Sequence, residues 1–575
     1  MSQGVGNFME AIDFNPPGPG FWQLDRSHFP GGTTPIAREL VGTAVEEVYR
    51  REWATIGIPA ETLSIRFVNG FWYSRMRPLI FPDRPVGKQP PFIFLWLVAR
   101  LHPEFRRREK AAKHFLENLQ VSEVINAWKE EGRPSLVAKN LDFQDIELQD
   151  LDDSALGIHL ANLIAHLRET LDEHFRLHCY DLGPIGRFLV AGSDWGIPSR
   201  QLLALLAGAS PSTSEPLQAL NAISREVNQS GISPSSLEEL ASISDSISGK
   251  LYAYLRFHGS VLYAGYDIDS PTLKESPEVL LATIRASDKL TTSETHELET
   301  EVNSVRSRIP AKDHEHFDDL LSRAREAMDL RDDNGPITAE WPCGLLRLGM
   351  LEAGFRLKEA GRIVNETHIF ELTTEELPEL VSNRNGPTSD ELSERARLRS
   401  QQKLLDPPAV LGMTETPPPV GALPEHLAMA VNTVQKILAE LGMGDGHDSG
   451  EQGNRTANGE LRGIGIGKSK YQQVARVAEN AHEALDRLQP GEILVTRTTS
   501  PAYNMVLSIA GGLVTVEGGA MCHAAVLSRE LNIPAVIGVP NALDDIDDGA
   551  LIEVDPESGC VQILNRIDGE VKTEN

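Results

Sequence analysis

Hydrophobic positions recur every three or four residues through much of the first two thirds of the chain, which is the spacing of one helical face. The clearest example covers residues 154–178, where leucines and two histidines share one stripe. Similar patterns cover residues 311–330 and 344–361, and Gly and Pro residues separate these segments. We therefore predict that residues 1–380 form a mainly helical domain.

The pattern changes after residue 460 to short runs rich in β-branched residues, each bounded by Gly, Pro or Asp. The runs lie at residues 491–498, 512–519, 533–539 and 550–555. A helix-like segment, HAAVLSREL, lies between the second run and the third. Strands and helices that alternate in this way indicate a compact α/β domain over residues 461–575.

Residues 381–460 lack a comparable pattern. They contain the proline run TETPPPVGALPEH and the stretch GMGDGHDSGEQGNRTANGE, which is almost free of large apolar side chains. Such a composition is typical of a mobile tether, and only HLAMAVNTVQKILAELG is amphipathic enough for a short helix. The predicted fold class is multidomain, α plus α/β: a large helical domain, a Pro- and Gly-rich linker region with one short helix, and a small α/β domain.

Composition narrows the environment and the partners. The formal net charge of −29 argues against nucleic acid or an anionic membrane as a partner. No uninterrupted apolar run approaches the ~20 residues that span a bilayer, and the N-terminal segment lacks the basic and apolar parts of a secretory signal. Four cysteines are scattered without the spacing of a metal site, so we expect free thiols and a cytoplasmic location.

A histidine stands at the joint between a strand-like run and the helix that follows it. Gly518 and Gly519 allow a tight turn, and His523 falls in the first helical turn, where unpaired backbone N–H groups bind a phosphate or another anion. A neutral imidazole there can attack phosphorus, and the small Ala524 and Ala525 leave room beside the ring. From the local sequence alone, an ordinary residue at a helix start explains His523 equally well.

The wider segment resembles the phosphohistidine, or swivelling, domain of phosphoenolpyruvate-utilising enzymes, a superfamily that includes phosphoenolpyruvate synthase, pyruvate phosphate dikinase and rifampin phosphotransferase. The family pattern has two glycines, a small residue, His-Ala-Ala, and later Arg-Glu-Leu-x-Ile-Pro-Ala-Val. The matching positions here are Gly518, Gly519, Cys522, His523, Ala524, Ala525, Arg529, Glu530, Leu531, Ile533, Pro534, Ala535 and Val536. The resemblance implies that His523 is phosphorylated during the catalytic cycle.

The resemblance also implies phosphate-binding roles for residues around His523. Cys522 occupies a position where the family has Ser, Thr or Cys, whose side chain can donate a hydrogen bond to the phosphoryl group. Thr498 and Thr499 lie in a turn that flanks the phosphohistidine in the family. Arg529 either holds phosphate or forms an ion pair within the domain.

Residues 1–380 resemble the helical acceptor-binding domain of rifampin phosphotransferase and related phosphotransferases through landmarks that occur in the same order. These landmarks include GPGFWQLDRSHFPGGTTP, RFVNGFWYSR, LLALLAGASPSTSEPLQAL and IFELTTEEL. We find no counterpart of the ATP-grasp nucleotide domain or of the phosphoenolpyruvate-binding barrel that phosphoenolpyruvate synthase carries. RGIGIGKSK, at residues 462–470, does not satisfy the phosphate-loop pattern G-x-x-x-x-G-K-[ST].

An acceptor domain and a phosphohistidine domain without a nucleotide domain resemble the split phenylphosphate synthases and the related synthases that phosphorylate 4-cresol and other alkylphenols. The resemblance implies a dikinase-type phosphotransferase subunit. ATP and Mg²⁺ would bind mainly to a separate ATP-grasp subunit. The β-phosphoryl group of ATP would pass to His523 and then to a phenolic hydroxyl, with release of AMP and phosphate. We expect no metal ligands in this chain.

Transfer to a hydroxyl group needs a base and groups that stabilise developing charge. One candidate set lies on the apolar stripe of the helix predicted at residues 154–178. His174, a candidate substrate contact, and His178, a candidate catalytic residue, share that stripe, and Tyr180 and Asp181 lie just beyond the predicted end of the helix. Two histidines on a core-facing stripe are equally well explained as structural residues.

A second candidate set surrounds a Gly-rich turn, RFHGSVLYAGYDIDSP. His258 and Tyr266 are candidate substrate contacts, and Asp267 and Asp269 are candidate catalytic residues. Rifampin phosphotransferases generally have an arginine- and glycine-rich stretch followed by Glu-x-Asp here, so the two aspartates would replace that acidic pair without an evident arginine nearby. Asp269, followed by Ser-Pro, is alternatively a turn with a helix-capping role.

The third candidate set is RFVNGFWYSRMRP, in which Tyr73 and Arg75 are candidate substrate contacts. Arginine among aromatic side chains suits a phosphate or an aromatic ring. The same pattern is equally typical of a solvent-exposed strand.

Two other functions remain open beside phenol phosphorylation. One is antibiotic phosphorylation of the rifampin type, with the kinase domain supplied by another chain. The other is a non-catalytic phosphohistidine carrier, which predicts that the protein has no small-molecule pocket.

Overall fold

The computed structural model describes residues 13–25, 28–29, 31–80, 90–117, 120–263, 265–286, 295–413, 418–442, 460–479, 481–499 and 503–565. These residues form a mainly helical body followed by a small α/β domain, as the hydrophobic pattern predicts. Among them, no helix combines the length and the apolar composition needed to cross a lipid bilayer.

The body is built from helices of very different length. They are α1 (Pro35–Ile56), α2 (Phe92–Leu101), α3 (Pro103–Glu117), α4 (Gln120–Ala127), α5 (Arg133–Gln144), α6 (Asp153–Asp194), α7 (Ser199–Ala204), α8 (Pro211–Ser230), α9 (Leu237–Ser242), α10 (Asp245–His258), α11 (Pro277–Ala286), α12 (Thr295–Arg306), α13 (His314–Gly335), α14 (Trp341–Glu359), α15 (Glu376–Asn383), α16 (Ser389–Gln402) and α17 (Glu425–Leu441). Two π-helical turns lie at Trp128–Gly132 and Pro336–Glu340. Short 3₁₀ turns lie at Leu148–Asp150, Leu273–Glu275, Ala311–Asp313, Glu366–Glu371 and Val420–Ala422.

The longest helix, α6, is the centre of the body, and α1, α13, α14, α15 and α17 pack around it. Asp152 caps its start, because the Asp152 side chain accepts a hydrogen bond from Ala155 N at 2.8 Å. The helix was expected to end near His178, but it continues through Pro184 to Asp194. A proline inside a helix removes one backbone hydrogen bond. Here the proline is buried, so packing against the body holds the helical path despite that loss.

Helices α13 and α14 confirm the helices predicted over residues 311–330 and 344–361. The π turn Pro336–Glu340 joins them without a break. A π turn holds more residues than an α-helical turn, so side chains beyond it point to a different face from the one that regular α-helical spacing would give. This shift positions a carboxyl group that is described below.

A small antiparallel sheet packs beside α1. Its strands are β1 (Phe21–Asp25), β2 (Ala60–Val68), β3 (Phe71–Pro78) and β4 (Val410–Gly412), in the order β2-β3-β1-β4. Trp72 in β3 lies opposite Asp25 in β1 and belongs to the main core of the body. Phe71 and Tyr73 point to the other face and form a separate cluster with Trp22.

Residues 381–442, which were expected to belong to a loose linker, are packed on the body wherever the structure describes them. Thr388 and Glu391 form a capping box that starts α16. Strand β4 pairs with β1, and α17 packs along α6 and α3 with Leu427 fully buried. The correction has a tertiary cause, since the partner surfaces of these short elements lie far away in the sequence. The rest of the predicted tether, residues 443–459, lies outside the described residues.

The C-terminal domain contains a mixed sheet in the order β5-β12-β11-β7-β8-β9-β10-β6. Its strands are β5 (Leu461–Arg462), β6 (Ile464–Ile466), β7 (Tyr471–Val477), β8 (Ile493–Thr496), β9 (Gly512–Thr515), β10 (Ala535–Ile537), β11 (Leu551–Asp555) and β12 (Cys560–Asn565). Its helices are α18 (Ala481–Arg487), α19 (Asn504–Leu507), α20 (His523–Glu530) and α21 (Ala542–Asp545). The predicted alternation of strands and helices is confirmed.

Gly463 closes this sheet into a barrel-like form. It joins β5 to β6, the strands at the two ends of the order, so one short segment pairs with both β12 and β10. Gly463 N donates to Gly559 O at 2.9 Å, and a Cβ at position 463 would lie 2.5 Å from Ile537 O. Only glycine fits this close backbone approach.

Candidate active site

The loop from Gly518 to Cys522 brings His523 to the start of α20. Gly518 has a φ of 122°, a backbone conformation that favours glycine, and a Cβ there would lie 2.8 Å from Cys522 Sγ. Cys522 is the N-cap residue of α20, and its N–H donates to Gly519 O at 3.1 Å. His523 therefore lies in the first helical turn, as the motif predicts.

The same loop rests on the helical body. Met521 N donates to Glu440 O at the end of α17 at 2.7 Å, and Arg331 Nη2 donates to Met521 O at 2.9 Å. Gly519 approaches α17 so closely that a Cβ would lie 2.2 Å from Glu440 O. Ala520 and Met521 are buried in the main core of the body. The α/β domain is thus docked on the body through the loop that carries the histidine.

Thr499 holds one nitrogen of the His523 ring, because Thr499 Oγ1 lies 3.0 Å from His523 Nδ1. Burial, with a smaller contribution from the positive charge of Arg331, lowers the pKa of His523 to about 3. The imidazole is therefore neutral near pH 7, which is the protonation state in which it acts as a nucleophile.

His523 opens onto a cavity of about 1520 Å³ between the body and the α/β domain. Apolar and aromatic side chains of the body, such as Trp53, Trp72 and Phe175, form most of the wall. Thr498 and Cys522 contribute from the α/β domain, so these two predicted phosphate contacts face the same space. Pockets for drug-sized ligands usually measure about 300–1,000 Å³, and this cavity exceeds that range.

The structure brings both predicted histidines of α6 to the cavity. His178 Nδ1 lies 2.7 Å from Asp181 Oδ2, and the rings of His174 and His178 are 4.5 Å apart. Thr338 Oγ1 donates to Asn334 O at 2.5 Å, so it accepts from His174 Nδ1 at 3.0 Å. His174 is therefore held with a proton on Nδ1 and a lone pair on Nε2. Burial lowers the pKa of His174 well below its ordinary value.

His258 and Tyr266, the predicted substrate contacts of the Gly-rich turn, also line the cavity. The His258 ring lies 4.6 Å from that of Tyr254, and burial lowers the pKa of His258 to about 4. Burial and the nearby carboxylates raise the pKa of Tyr266, so its hydroxyl keeps its proton. Both side chains therefore offer neutral polar groups to a ligand.

His28 and Asp25 form a cavity-lining pair that the sequence did not single out. His28 Nδ1 lies 2.8 Å from Asp25 Oδ2, and the His28 ring lies 5.3 Å from that of Tyr266. Burial opposes the charged form of the ring, but the Asp25 carboxylate outweighs it and raises the pKa of His28. The residue lies in the quoted landmark GPGFWQLDRSHFPGGTTP, but its spacing there does not indicate a cavity.

Arg331, in α13, is a second residue that sequence reasoning missed. It lines the cavity, its charge acts on His523, and its Nη2 holds the carbonyl of Met521. Its Nη1 is buried and has no hydrogen-bond partner among the described residues. An unpaired buried donor is costly, and an anion on His523 would satisfy it.

Glu340, the last residue of the π turn, is a third residue that sequence reasoning missed. Its side chain lines the cavity, the residue is only 6% exposed, and no described residue hydrogen-bonds to its carboxyl group. Burial raises the pKa of Glu340 to about 8. A lone buried carboxyl group in an apolar wall is an uncommon and costly feature.

Asp267 and Asp269, predicted as catalytic, are not among the residues that line the cavity. Asp267 accepts hydrogen bonds from Thr34 N at 2.8 Å and from Thr34 Oγ1 at 2.5 Å, at the start of α1. Asp269 pairs with Arg399 at 2.5 Å and with Lys403 at 2.7 Å. The arginine that the local sequence lacked is thus supplied by α16. These contacts hold both aspartates outside the cavity lining, and their catalytic role stays a prediction.

Tyr73 and Arg75 are also absent from the cavity lining. Successive side chains of a strand point to opposite faces. In β3, Trp72 and Met76 face the cavity, while Tyr73 and Arg75 are buried on the other side. Tyr73 OH donates to Pro408 O at 2.7 Å. The motif was in the correct strand, but the two named residues lie on its other face.

Arg529 does not line the cavity either. Its Nη2 donates to Ala520 O, and burial lowers its pKa to about 10. Its contact supports the loop before His523, so Arg331, rather than Arg529, is the arginine that faces the phosphohistidine position. Of the two loop glycines, Gly518 lines the cavity while Gly519 packs on α17.

Comparison with known proteins identifies the smaller domain. Residues 488–559, which include the Gly-Gly turn and His523, match the family model described as PEP-utilising enzyme, mobile domain, where PEP is phosphoenolpyruvate. The chain carries a PEP-utilising mobile domain. This match supports the superfamily resemblance and phosphohistidine-type chemistry, and it covers the C-terminal part only.

Individual relatives agree with this assignment. A probable phosphoenolpyruvate synthase of Methanothermobacter thermautotrophicus is 37% identical over 112 residues, which is 20% of this chain and 16% of that protein. The phosphoenolpyruvate synthase of Aeropyrum pernix is 37% identical over 114 residues, 20% of this chain and 13% of that protein. Chondramide synthase of Chondromyces crocatus is 29% identical over 339 residues, 55% of this chain and 8% of that protein. The chain thus spans less than a fifth of the length of these three relatives.

The donor groups of the site do not form a metal centre. Within the described ranges, no group of three or more His, Cys, Asp or Glu side chains is placed to hold a metal ion. Of the five described histidines that line the cavity, four lie within hydrogen-bond distance of a polar side chain: His28 of Asp25, His178 of Asp181, His174 of Thr338 and His523 of Thr499.

Proposed function

We propose that this chain is a phosphotransferase subunit in which His523 receives a phosphoryl group and passes it to the hydroxyl group of an acceptor bound in the cavity. The observation that carries the proposal is the docked position of His523, which opens onto a large apolar cavity of the helical body. A histidine that served only as a carrier between proteins would have no use for such a cavity.

The contacts of His523 support the first step. We assign the proton of the neutral ring to Nδ1, so that Nδ1–H donates to Thr499 Oγ1 and the lone pair lies on Nε2. Nε2 attacks phosphorus, a bond from Nε2 to phosphorus forms, and the bond to the donor's leaving oxygen breaks with its electron pair on that oxygen. The phosphorylated ring is then a cation beside a phosphoryl dianion. Arg331 Nη1 and the N–H groups at the start of α20 are suited to hold that dianion.

The second step returns the ring to its neutral form. The acceptor oxygen attacks phosphorus, and the bond from phosphorus to Nε2 breaks with its electron pair on Nε2. The proton of the acceptor hydroxyl goes to a base in the cavity. The His178–Asp181 pair, predicted from the sequence for this region, faces the same cavity and is a candidate for orienting the acceptor.

The donor side of the proposal requires a second protein. RGIGIGKSK, the nearest approach to a phosphate loop, supplies strands β5 and β6 of the closed sheet and not a loop before a helix. We propose that ATP and Mg²⁺ bind to a separate ATP-grasp subunit, and that this subunit phosphorylates His523 after the α/β domain leaves the body.

The acceptor that we propose is a phenol such as 4-cresol or another alkylphenol. The aromatic wall suits an aromatic ring, and a phenolic hydroxyl, with a pKa near ~10, loses its proton more easily than an alkyl alcohol. The cavity volume of about 1520 Å³ favours a second candidate, a bulky hydroxy compound of the rifampin type.

Trapping the phosphoryl group tests the proposal. The full chain is treated with phosphoramidate, a small phosphoryl donor for histidine, and phosphohistidine is measured by intact mass and ³¹P NMR. We expect label on the native chain and on His368→Ala, a control histidine outside the cavity, but not on His523→Ala. Equal labelling of His523→Ala at another residue would refute the proposed carrier.

Ligand binding distinguishes the acceptors. Thermal shift with 4-cresol, rifampin and unrelated aliphatic alcohols, measured on the unphosphorylated chain, should show stabilisation by one of the first two. Stabilisation by rifampin alone would favour the second candidate. No stabilisation by any ligand would favour the carrier function instead.

A further inference from the structure

The cavity wall contains one buried carboxyl group that no described contact explains. Glu340 is 94% buried, since only 6% of it is exposed, and no described residue donates a hydrogen bond to its carboxyl oxygens. Other buried acids of the body differ in this respect. Asp333 accepts from Trp128 and Arg133, and Glu371 pairs with Arg399. A carboxyl group kept without a partner on a cavity wall indicates that its partner is the ligand.

The π turn is what places Glu340 on this wall. Glu340 follows Arg331 by nine residues, which in a regular α-helix is about two and a half turns, so the two side chains would point in opposite directions. The π turn Pro336–Glu340 takes up about one additional residue and reduces that angle. Both side chains therefore reach the same cavity. Widened turns of this kind occur frequently at functional sites.

Electrostatic neighbours link Glu340 to the phosphohistidine position. The Tyr266 hydroxyl is within range of both the Glu340 carboxylate and the Arg331 cation, and the Arg331 charge also acts on His523. The other candidate base, His178, is already paired with Asp181 and lies against His174. Glu340 is thus the unengaged acceptor group on the side of the cavity near Arg331.

We propose that Glu340 accepts a hydrogen bond from the acceptor hydroxyl and takes its proton as the phosphoryl group leaves His523. This inference rests on the proposed function and names the base for its second step. The proton moves from the acceptor oxygen to a Glu340 oxygen, the bond from that oxygen to phosphorus forms, and the electron pair of the broken bond stays on Nε2 of His523.

The choice of base also selects the acceptor class. Burial raises the pKa of Glu340 to about 8, which makes its carboxylate a stronger base than an exposed one. Proton transfer from a phenol with a pKa near ~10 is then uphill by only about two units. An alkyl alcohol has a pKa close to the ~15.7 of water, which is about eight units above the pKa of Glu340. Glu340 therefore favours a phenolic hydroxyl over an aliphatic one.

Transfer from the chemically phosphorylated chain tests the inference without the partner subunit. The chain is phosphorylated with phosphoramidate, freed of reagent and mixed with 4-cresol, and ³¹P NMR follows the loss of phosphohistidine and the appearance of aryl phosphate. Glu340→Gln should reach the native level of phosphohistidine but transfer it at least about 100-fold more slowly. Glu340→Asp should recover part of the rate. Glu52→Gln, a buried acid outside the cavity, should behave as the native chain.

The pH profile separates a base from a merely structural carboxyl group. The native transfer rate should rise with pH up to about 8, the pKa of Glu340, and this rise should be absent in Glu340→Gln. Equal rates and equal profiles in the two proteins would overturn the inference and leave the proposed function intact.

Binding provides a readout that does not depend on turnover. The dissociation constant of 4-cresol, measured by tryptophan fluorescence above pH 8, where Glu340 is ionised, should rise about tenfold in Glu340→Gln because a hydrogen bond to a charged group is lost. If the phosphorylated native chain fails to transfer to 4-cresol, the proposed phenol acceptor fails. The binding result then decides the inference by itself, and equal dissociation constants in the two proteins would overturn it.

Discussion

Replacement of Gly519 by alanine is the sharpest test of the docked arrangement. A Cβ at this position would lie 2.2 Å from Glu440 O and 2.7 Å from Gly442 N, both at the end of α17. These are backbone atoms of a packed helix, so they cannot move aside as a flexible side chain would. The clash is relieved only if the loop before His523 moves away from α17, which also breaks the hydrogen bond from Met521 N to Glu440 O.

The size of the effect follows from these contacts. Forcing an additional methyl group into a close-packed contact costs about 1–3 kcal/mol. A cost of about 2 kcal/mol lowers the population of the docked state roughly 30-fold relative to the undocked state. Transfer from phosphohistidine to an acceptor needs the docked state, so its rate should fall by up to about the same factor, which is reached when the undocked state predominates. Labelling of His523 by phosphoramidate needs only an accessible ring and should be at least as fast as in the native chain.

The assay measures both rates on one preparation, with ³¹P NMR for transfer and intact mass for labelling. Gly42→Ala is the matched control, because a Cβ there meets nothing within 4 Å. A Gly519→Ala protein that transfers at the native rate would refute the argument that the described contact is the productive one. A protein that loses labelling and transfer equally would point to a damaged domain instead.

Three further predictions follow from the same site. Arg331→Gln should slow transfer about 10-fold or more. Arg331→Lys should slow it less, because lysine keeps the positive charge but lacks the second nitrogen that binds phosphate. ³¹P NMR of the phosphorylated chains measures these rates, and rates equal to the native one would exclude the phosphate contact. Thr499→Val should slow labelling of His523 roughly tenfold while Thr499→Ser keeps it, because only serine retains the oxygen that holds Nδ1. Burial raises the pKa of Glu340 above its unfolded value, so the folded chain binds this proton more tightly and native stability should fall as pH rises from about 4.5 to about 8. Glu340→Gln should lack that fall and be more stable by on the order of 3 kcal/mol at pH 7, which denaturant titrations at several pH values would measure.

Local sequence was sufficient where the chemistry is local. The two glycines, the small N-cap residue and the alanines after His523 all lie within one turn and its helix, so their spacing alone indicated where the histidine lies. The apolar stripe likewise placed His174 and His178 on one face of α6. Both features depend on neighbours in the chain, which a sequence displays directly.

Features that depend on distant partners were not visible. The sequence around Asp269 shows no arginine, because Arg399 reaches it from a helix 130 residues later. The motif indicated Tyr73 and Arg75, because a sequence pattern does not reveal which face of β3 meets the cavity. Glu340 is hidden for a different reason, since regular helical spacing places it on the wrong face and only the π turn corrects that angle.

The segment between the two units shows the same limitation. Its proline and glycine content predicted a tether. Composition, however, indicates only how readily a segment folds alone, and not whether it packs against distant parts of the chain. Helix α17 is held by contacts with the body, such as those of the buried Leu427. A low tendency to fold in isolation is therefore compatible with a well-packed position in the complete chain.

The cavity wall is shared between two units that separate in the proposed mechanism, with Trp72 on one side and Cys522 on the other. A molecule that fills the cavity touches both units. Its binding and the closure of the α/β domain onto the body therefore form one thermodynamic cycle. If closure raises the affinity for the molecule by a certain factor, binding of the molecule raises the equilibrium constant for closure by the same factor. In the proposed cycle, an empty cavity leaves His523 free to reach its phosphoryl donor, and an occupied cavity favours the docked position, without any separate signal between the two units.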